Sequence, residues 1–512
     1  MAQINVNSLT FYYEGSFDNI FENVSFSIDT NWKLGFIGRN GKGKTTFLNL
    51  LLGKHEYLGS ISTSVFFDYF PYQIKPEYME MPAMGFAADL KPGCEDWRIL
   101  CELDKLDVEA EVLYRPFRTL SFGERTKVML AILFSGENDF LLIDEPTNHL
   151  DQSSREIVKS YLSGKKGFIL VSHDRDLLDA CIDHVLVLNR RTIEVQAGNF
   201  SSWWENKTRK DAFAQKENEK HKREISKLKK ASERTREWAD KSESTKIGFD
   251  PVKDHDRSIS TRAYIGAKTK KMQSRVRQME NRISQEIEEK EGLLQDIEKT
   301  VDLKIVPLMH HKKTLVKADQ YGLKYEDADT FLFENLDFEI QQGERVFLNG
   351  ANGCGKSSLI KAILSRTENG QTGMKELHLE EKGELQTAAG LVISYINQDT
   401  SFLKGNIKDF CKNRDLDESL LCAILRQLGM ERVQFTKEMQ DFSEGQKKKV
   451  LIAASLLTPA HLYIWDEPLN YIDVFSRMQI EQLFQAFQPT MLIVEHDVRF
   501  REQIATKIVN ME

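Results

Sequence analysis

No stretch of the 512 residues approaches the ~18 uninterrupted apolar positions of a membrane-spanning helix. Met1-Ala2-Gln3-Ile4-Asn5-Val6 lacks the basic and apolar regions of a secretory signal. Cysteine is scarce: six thiols, at 94, 101, 181, 354, 411 and 422, form no C-x-x-C pair, which excludes a disulfide or metal framework. The eleven histidines show no ligand spacing. Net positive charge is missing as well, at −8 overall. These absences describe a soluble, cytoplasmic chain with reduced thiols, long enough for two or three domains with sizeable cores.

Two glycine-rich loops stand out against that background. Gly38-Arg39-Asn40-Gly41-Lys42-Gly43-Lys44-Thr45 and Gly350-Ala351-Asn352-Gly353-Cys354-Gly355-Lys356-Ser357 both fit G-x-x-x-x-G-K-[ST], which cradles phosphates with backbone N–H groups. Each follows an apolar, strand-like run (33–37, then 345–348) and leads into an apolar, helix-like one, so a helix N-terminus faces the same anion. Lys44 and Lys356 are placed to reach the β- and γ-phosphates, and Thr45 and Ser357 to bind Mg2+. Thr46 and Ser358 follow on the same turn.

Apolar runs 140–143 and 461–465 each end in two acids, Asp144-Glu145 and Asp466-Glu467. Buried parallel strands deliver such acids at their carboxyl ends, where α/β sheets bind ligands. Asp144 and Asp466 suit the Mg2+ shell, and Glu145 and Glu467 can polarise an attacking water. His173 and His496 close the next strand-like runs, placed to contact the γ-phosphate. Tyr13 to Tyr325, Phe21 to Phe333 and Lys44 to Lys356 all differ by 312 positions, Asp144 to Asp466 by 322, and His173 to His496 by 323. That constancy describes a tandem duplication.

Leu120-Ser121-Phe122-Gly123-Glu124 and Phe442-Ser443-Glu444-Gly445-Gln446 resemble the signature loop of ATP-binding cassette (ABC) proteins. Gln73 and Gln398 sit where that family carries its Q-loop glutamine, which implies further Mg2+ contacts. Asp151 and Asp473 resemble the D-loop aspartate, and Tyr13 and Tyr325 the aromatic that stacks on adenine. Both signature loops depart from L-S-G-G-Q, and the second D-loop has Tyr471-Ile472 in place of His-Leu. The resemblance implies two cassettes closing head to tail on ATP, with Lys44 and Glu145 opposite Ser443 and Gly445, and Lys356 and Glu467 opposite Ser121 and Gly123.

Residues 207–277 hold 22 Lys/Arg against 11 Asp/Glu, a local +11, so the rest of the chain carries −19. This is an acidic body with one basic arm, suited to meeting a polyanion through a single element. From 201 to 242 there is no Gly or Pro. Gly248, Pro251 and Gly266 break the chain, and from 269 to about 300 apolar residues recur at 3–4 spacing, together describing a helical hairpin. Lys246, Phe249, His255, Arg257, Arg262, Tyr264, Lys268, Lys270 and Lys271 interleave cations with aromatics near its tip, a composition suited to RNA. A solvated coiled-coil spacer remains open on charge pattern alone.

The expected fold is therefore α/β: two ABC-type P-loop ATPase domains (1–200 and 306–512) joined by a long α-helical hairpin linker (201–305) with a basic tip near 246–262. This arrangement resembles the F subfamily of ABC proteins, and within it the antibiotic-resistance branch of Lsa type. The 465–473 block, Trp-Asp-Glu-Pro-Leu-Asn-Tyr-Ile-Asp, carries that resemblance together with 29–34. The resemblance implies an ATP- and Mg2+-dependent monomer. Its implied partners are the bacterial 70S ribosome, 23S rRNA and peptidyl-site tRNA, with no membrane and no DNA. It further implies displacement of lincosamides, pleuromutilins and group A streptogramins. A housekeeping translation factor of the same subfamily shares every motif, and a transport or DNA-repair ATPase is a remoter alternative.

Overall fold

The computed structural model describes residues 2–13, 19–136, 139–148, 150–189, 192–244, 303–326, 330–367 and 379–511, with isolated helical residues between 274 and 283. The chain divides into two compact units: Met1–Trp203 with Val301–Glu512, and Trp204–Thr300.

The first unit contains one architecture built twice. In the N-terminal copy, β1 (Gln3–Phe11), β2 (Phe21–Asp29), β3 (Lys33–Ile37), β4 (Leu58–Ser62), β5 (Phe66–Phe70), β6 (Asp139–Asp144), β7 (Phe168–Val171), β8 (His184–Leu188) and β9 (Ile193–Ala197) form two sheets. One is antiparallel, in the order β2-β1-β4. The other runs β5-β6-β7-β3-β8-β9, parallel except at the β9 edge. The C-terminal copy repeats this with β10 (Thr314–Tyr325), β11 (Phe333–Gln341), β12 (Arg345–Asn349), β13 (Leu379–Thr387), β14 (Ile393–Ile396), β15 (Leu462–Asp466), β16 (Met491–Val494) and β17 (Lys507–Asn510). Its sheets run β11-β10-β13 and β14-β15-β16-β12-β17.

The parallel strands are continuous apolar runs because helices cover both faces of their sheets. Every residue of β7, β15 and β16 is buried. In both copies the chain reverses its lateral direction beside the central strand, β3 or β12. There the carboxyl ends of three neighbouring strands open a crevice for ligands. That edge gathers the glycine loops, the paired acids and the histidines.

One helix, Phe200–Ser244, runs for 45 residues, about 68 Å at 1.5 Å per residue. Its sequence has no helix breaker, and i,i+4 pairs such as Glu205–Arg209 and Glu219–Arg223 line it. Ala214, Asn218 and Ile225 are buried along it, spaced by four and seven residues on one stripe. At its root Phe200 and Trp203 are buried. Trp203 packs edge-on to Phe475 of the C-terminal copy, with ring centroids 6.2 Å apart. The expected tip residues, Lys246, Phe249, His255, Arg257, Arg262, Tyr264, Lys268, Lys270 and Lys271, lie outside the described residues.

Candidate functional site

Each glycine loop joins a central strand to a helix, Lys44–Leu51 after β3 and Lys356–Ser365 after β12. The residue capping each helix has left-handed backbone, Gly43 at φ +107° and Gly355 at φ +94°, a conformation glycine adopts without strain. A Cβ on Gly43 would also lie 2.6 Å from Ile20. These turns aim the first N–H groups of each helix into the loop. Lys44 Nζ curls back to donate to Gly38 O (2.6 Å) and Asn40 Oδ1 (3.3 Å). Lys356 Nζ donates to Gly350 O (2.9 Å) and Ala351 O (2.8 Å).

The acids arrive opposite. Thr45 Oγ1 and the Tyr69 hydroxyl both donate to Asp144 Oδ2, at 3.3 and 3.1 Å. Ser357 Oγ donates to Asp466 Oδ2 at 2.8 Å, while Asp466 Oδ1 is buried with no hydrogen-bond partner among the described residues. Glu145 and Glu467 both have left-handed backbone, φ +51° and +46°, although neither is glycine. Such strain persists where surrounding structure enforces it: their N–H groups are held by Val171 O and Val494 O of the next strands. His173 Nε2 stands 3.4 Å from Glu145 Oε1, and His496 Nε2 3.7 Å from Glu467 Oε1. Gln398 and Asn470 both donate to Glu467 Oε2, at 2.9 and 2.8 Å.

Burial, with the charge of Asp144 beside it, pushes the Glu145 carboxyl up to about 8 against the opposing charges of Arg477 and Lys44. Burial raises Asp144 and Asp466 as well. Burial, with the charges of Lys44 and Arg477, holds His173 well below the usual imidazole range, so this ring is neutral at pH 7. Tyr13 and Tyr325 are 43 % and 40 % exposed. Each ties its hydroxyl to the turn after a glycine loop, Tyr13 to Thr46 at 2.9 Å and Tyr325 to Ser358 at 3.1 Å. Gln73 is exposed beyond the end of β5 and is not bonded to the others.

A sequence model of the ABC transporter family matches residues 21–148 and 333–470, just over half of the chain. The chain belongs to the ABC transporter family. It is an ATP hydrolase. Over 96% of its length the chain is 27% identical to the ribosome protection protein VmlR of Bacillus subtilis (strain 168), spanning 84% of that protein. Over 93% it is 26% identical to the erythromycin resistance ATP-binding protein MsrA of Staphylococcus epidermidis, spanning 91% of it. Among solved structures it is similar to RNase-L Inhibitor, with a TM-score of 0.61 and 17% identity over 98% of this chain and 87% of that one. That likeness concerns fold. Among the described residues no helix is long and apolar enough to cross a membrane.

Among the described residues, the ABC cassettes meet around the first ATP site and also away from it. Around the first ATP site, Asn40 Nδ2 donates to Tyr471 O at 2.6 Å, and Lys42 pairs with Glu431 at 2.5 Å. A Cβ on Gly445 would lie 2.6 Å from Tyr471 O and 3.4 Å from Asn40 Nδ2, so the second signature loop and the first phosphate loop share one small space. Gly123 has Ser154 and Leu150 of its own cassette as nearest neighbours. Ser121 and Ser443 each form a capping box with the residue three positions on. Further from the phosphates, Arg175 and Glu481 form a buried two-point pair across the cassettes. Arg499 donates to Asp176 (2.5 Å), Asp179 (2.6 Å) and Ser201 (3.2 Å).

Several charged residues at this edge escaped the motif reading. Lys449 forms a buried pair at 2.7 Å with Asp473, the aspartate that the motifs had marked. Lys448 donates to Asn397 O and Glu467 O, at 3.2 and 3.3 Å. Glu495 Oε1 accepts from Leu469 N at 2.7 Å. The signal was available in the duplication: offsets of 322 and 323 place Thr126 and Ser172 opposite Lys448 and Glu495. One copy therefore buries two extra charges where the other has hydroxyls.

Proposed function

We propose that this chain is an ATP-driven ribosome protection protein of the F subfamily, acting in the bacterial cytoplasm against antibiotics of the peptidyl-transferase centre. The observation that carries the reading is likeness over 96% of the chain, basic segment included, to a protein named for ribosome protection. A second relative is named for erythromycin resistance, and the local +11 of residues 207–277 suits a polyanionic partner. In this reading the protein enters the ribosomal exit site, and the 201–305 segment displaces peptidyl-site tRNA. Cations and aromatics near 246–262 meet 23S rRNA beside the drug pocket, and the drug leaves. Lincosamides, pleuromutilins and group A streptogramins are the expected spectrum.

The site chemistry follows from the residues in place. Backbone N–H groups of 38–45 and 350–357, with Lys44 and Lys356, hold the ATP phosphates, and Tyr13 and Tyr325 hold adenine. Thr45, Gln73 and Asp144 would hold one Mg2+ and Ser357, Gln398 and Asp466 another. These are hard oxygen donors that suit it, and the unbonded Asp466 Oδ1 leaves a lone pair for it. Bound there, Mg2+ would supply neutralisation of phosphate charge. Glu145 and Glu467 orient and polarise water at the γ-phosphate, and His173 and His496 contact the same group. Ser121, Gly123, Ser443 and Gly445 close on it from the opposite cassette. Turnover separates the cassettes and releases the protein.

The deciding experiment measures growth inhibition by lincomycin, tiamulin, virginiamycin M and erythromycin in a sensitive bacterium. Wild type is compared with Glu145→Gln/Glu467→Gln at matched expression. A selective rise for wild type, lost in the double variant, is the expected result. Ribosome co-sedimentation with no rise for any drug would make the chain a translation factor of the same subfamily instead.

A further inference from the structure

Arg477 lies on the helix Val474–Phe487 of the second cassette and is buried. Its guanidinium makes three hydrogen bonds of 2.9 Å, from Nε to Ile472 O, from one Nη to Leu469 O and from the other to Asp497 Oδ2. The two carbonyls bracket Tyr471, which has left-handed backbone at φ +64°. Tyr471 presents its own carbonyl to Asn40 of the other cassette. Asn40 Oδ1 then accepts from Lys44 and stands 3.0 Å from His173 Nε2. Asp497 follows His496 directly. A run of polar contacts, passing through the 469–472 backbone, therefore links the second site's histidine loop to the first site's lysine and histidine, and Arg477 is its planar fork.

The first cassette has a looser version. Arg155, at the offset of 322, donates from Nε to Leu150 O at 2.9 Å and stands 3.6 Å from Asp174. A planar guanidinium can hold two carbonyls and a carboxylate in one fixed geometry, and a lysine ammonium cannot.

We propose that Arg477 is a positioning residue for the ATP site of the opposite cassette, fixing the 469–472 turn whose Tyr471 carbonyl holds Asn40 and through it Lys44 and His173. This rests on the reading of Lys44, Glu145 and His173 as that site's machinery. It gives hydrolysis at the first site a dependence on the histidine loop of the second.

The test is steady-state ATP hydrolysis by the full chain in two backgrounds: Glu467→Gln, in which only the first site turns over, and Glu145→Gln, in which only the second does. Arg477→Lys keeps the charge facing Asp497 and loses the fork. The expected result is a fall in kcat of about tenfold at the first site, with KM within about twofold, since catalytic geometry is lost while binding is kept. The second site, in the same cassette as Arg477, is expected to change less, which also shows that this cassette has folded. Asn40→Ala is expected to reproduce the first-site loss and to add little on top of Arg477→Lys, as residues of one chain of contacts do. Equal or greater loss at the second site, no loss at the first, or additive losses would overturn the role of Arg477 alone. Turnover persisting in Glu145→Gln/Glu467→Gln would overturn the site assignment and the proposal with it.

Discussion

At the scale of single residues, the two signature glycines are not equivalent. A methyl group on Gly445 meets a backbone carbonyl, Tyr471 O, at 2.6 Å, whereas one on Gly123 meets the rotatable Ser154 hydroxyl at 3.3 Å. Gly445→Ala is therefore expected to lower ATP turnover by about tenfold or more through misplacement at the first site. Gly123→Ala is expected to cost less, and the pair is compared by phosphate release.

Asp473 gives a pH signature. Burial alone would raise its carboxyl, but Lys449 holds it well below the carboxylate range. An unfolded aspartate takes up its proton near pH 4, before the folded one does. The stability that this group provides is thus complete above that pH and is lost as pH falls toward the folded value. Asp473→Asn is expected to cost about 3–5 kcal/mol at pH 7, as when one partner of a buried pair is removed. The deficit should shrink below about pH 4, as read by urea unfolding at each pH. Lys44, Glu145 and their repeats were legible in the sequence because phosphate chemistry fixes both residue type and spacing. Arg477 was not, because its partners are backbone carbonyls and a carboxylate 20 positions away, which no motif records.

At the scale of elements, the helices Arg175–Cys181 and Val474–Phe487 are joined across the cassettes by Arg175 and Glu481, each 4 % exposed. Removing one partner strands a buried charge, so Arg175→Met or Glu481→Leu is expected to cost about 3–5 kcal/mol. The double variant should cost less than the sum by about 1–3 kcal/mol in thermal melts, because the two changes share one interaction. The buried strands and the long helix could be read in outline: apolar runs marked the parallel strands, and the absence of Gly and Pro marked the helix, while the order of strands in each sheet could not. The partner of Trp203 could not be read, because a buried indole does not specify which apolar surface it faces.

At the scale of the whole molecule, the segregated charge provides a test of association. If residues 207–277 meet RNA, ribosome co-sedimentation weakens linearly in log affinity against log salt. Replacing Lys246, Arg257 and Arg262 by alanine should then flatten that slope by about 0.7–0.9 per lost phosphate contact. Unchanged slopes would separate this segment from binding. The duplication made the two-site architecture readable at this scale too, through residue offsets alone. The unequal contacts of its two ATP sites arise from pairings between copies, which offsets do not encode.

Ser201, one residue into the 45-residue helix, is held by Asp179 of one cassette and Arg499 of the other. A stiff rod of this length magnifies angle into distance: each degree of tilt at that root moves the far end by about 1.2 Å for a 68 Å helix. A change of about three degrees in how the two side chains grip one serine is thereby geared up to about 3.5 Å, the rise between stacked bases.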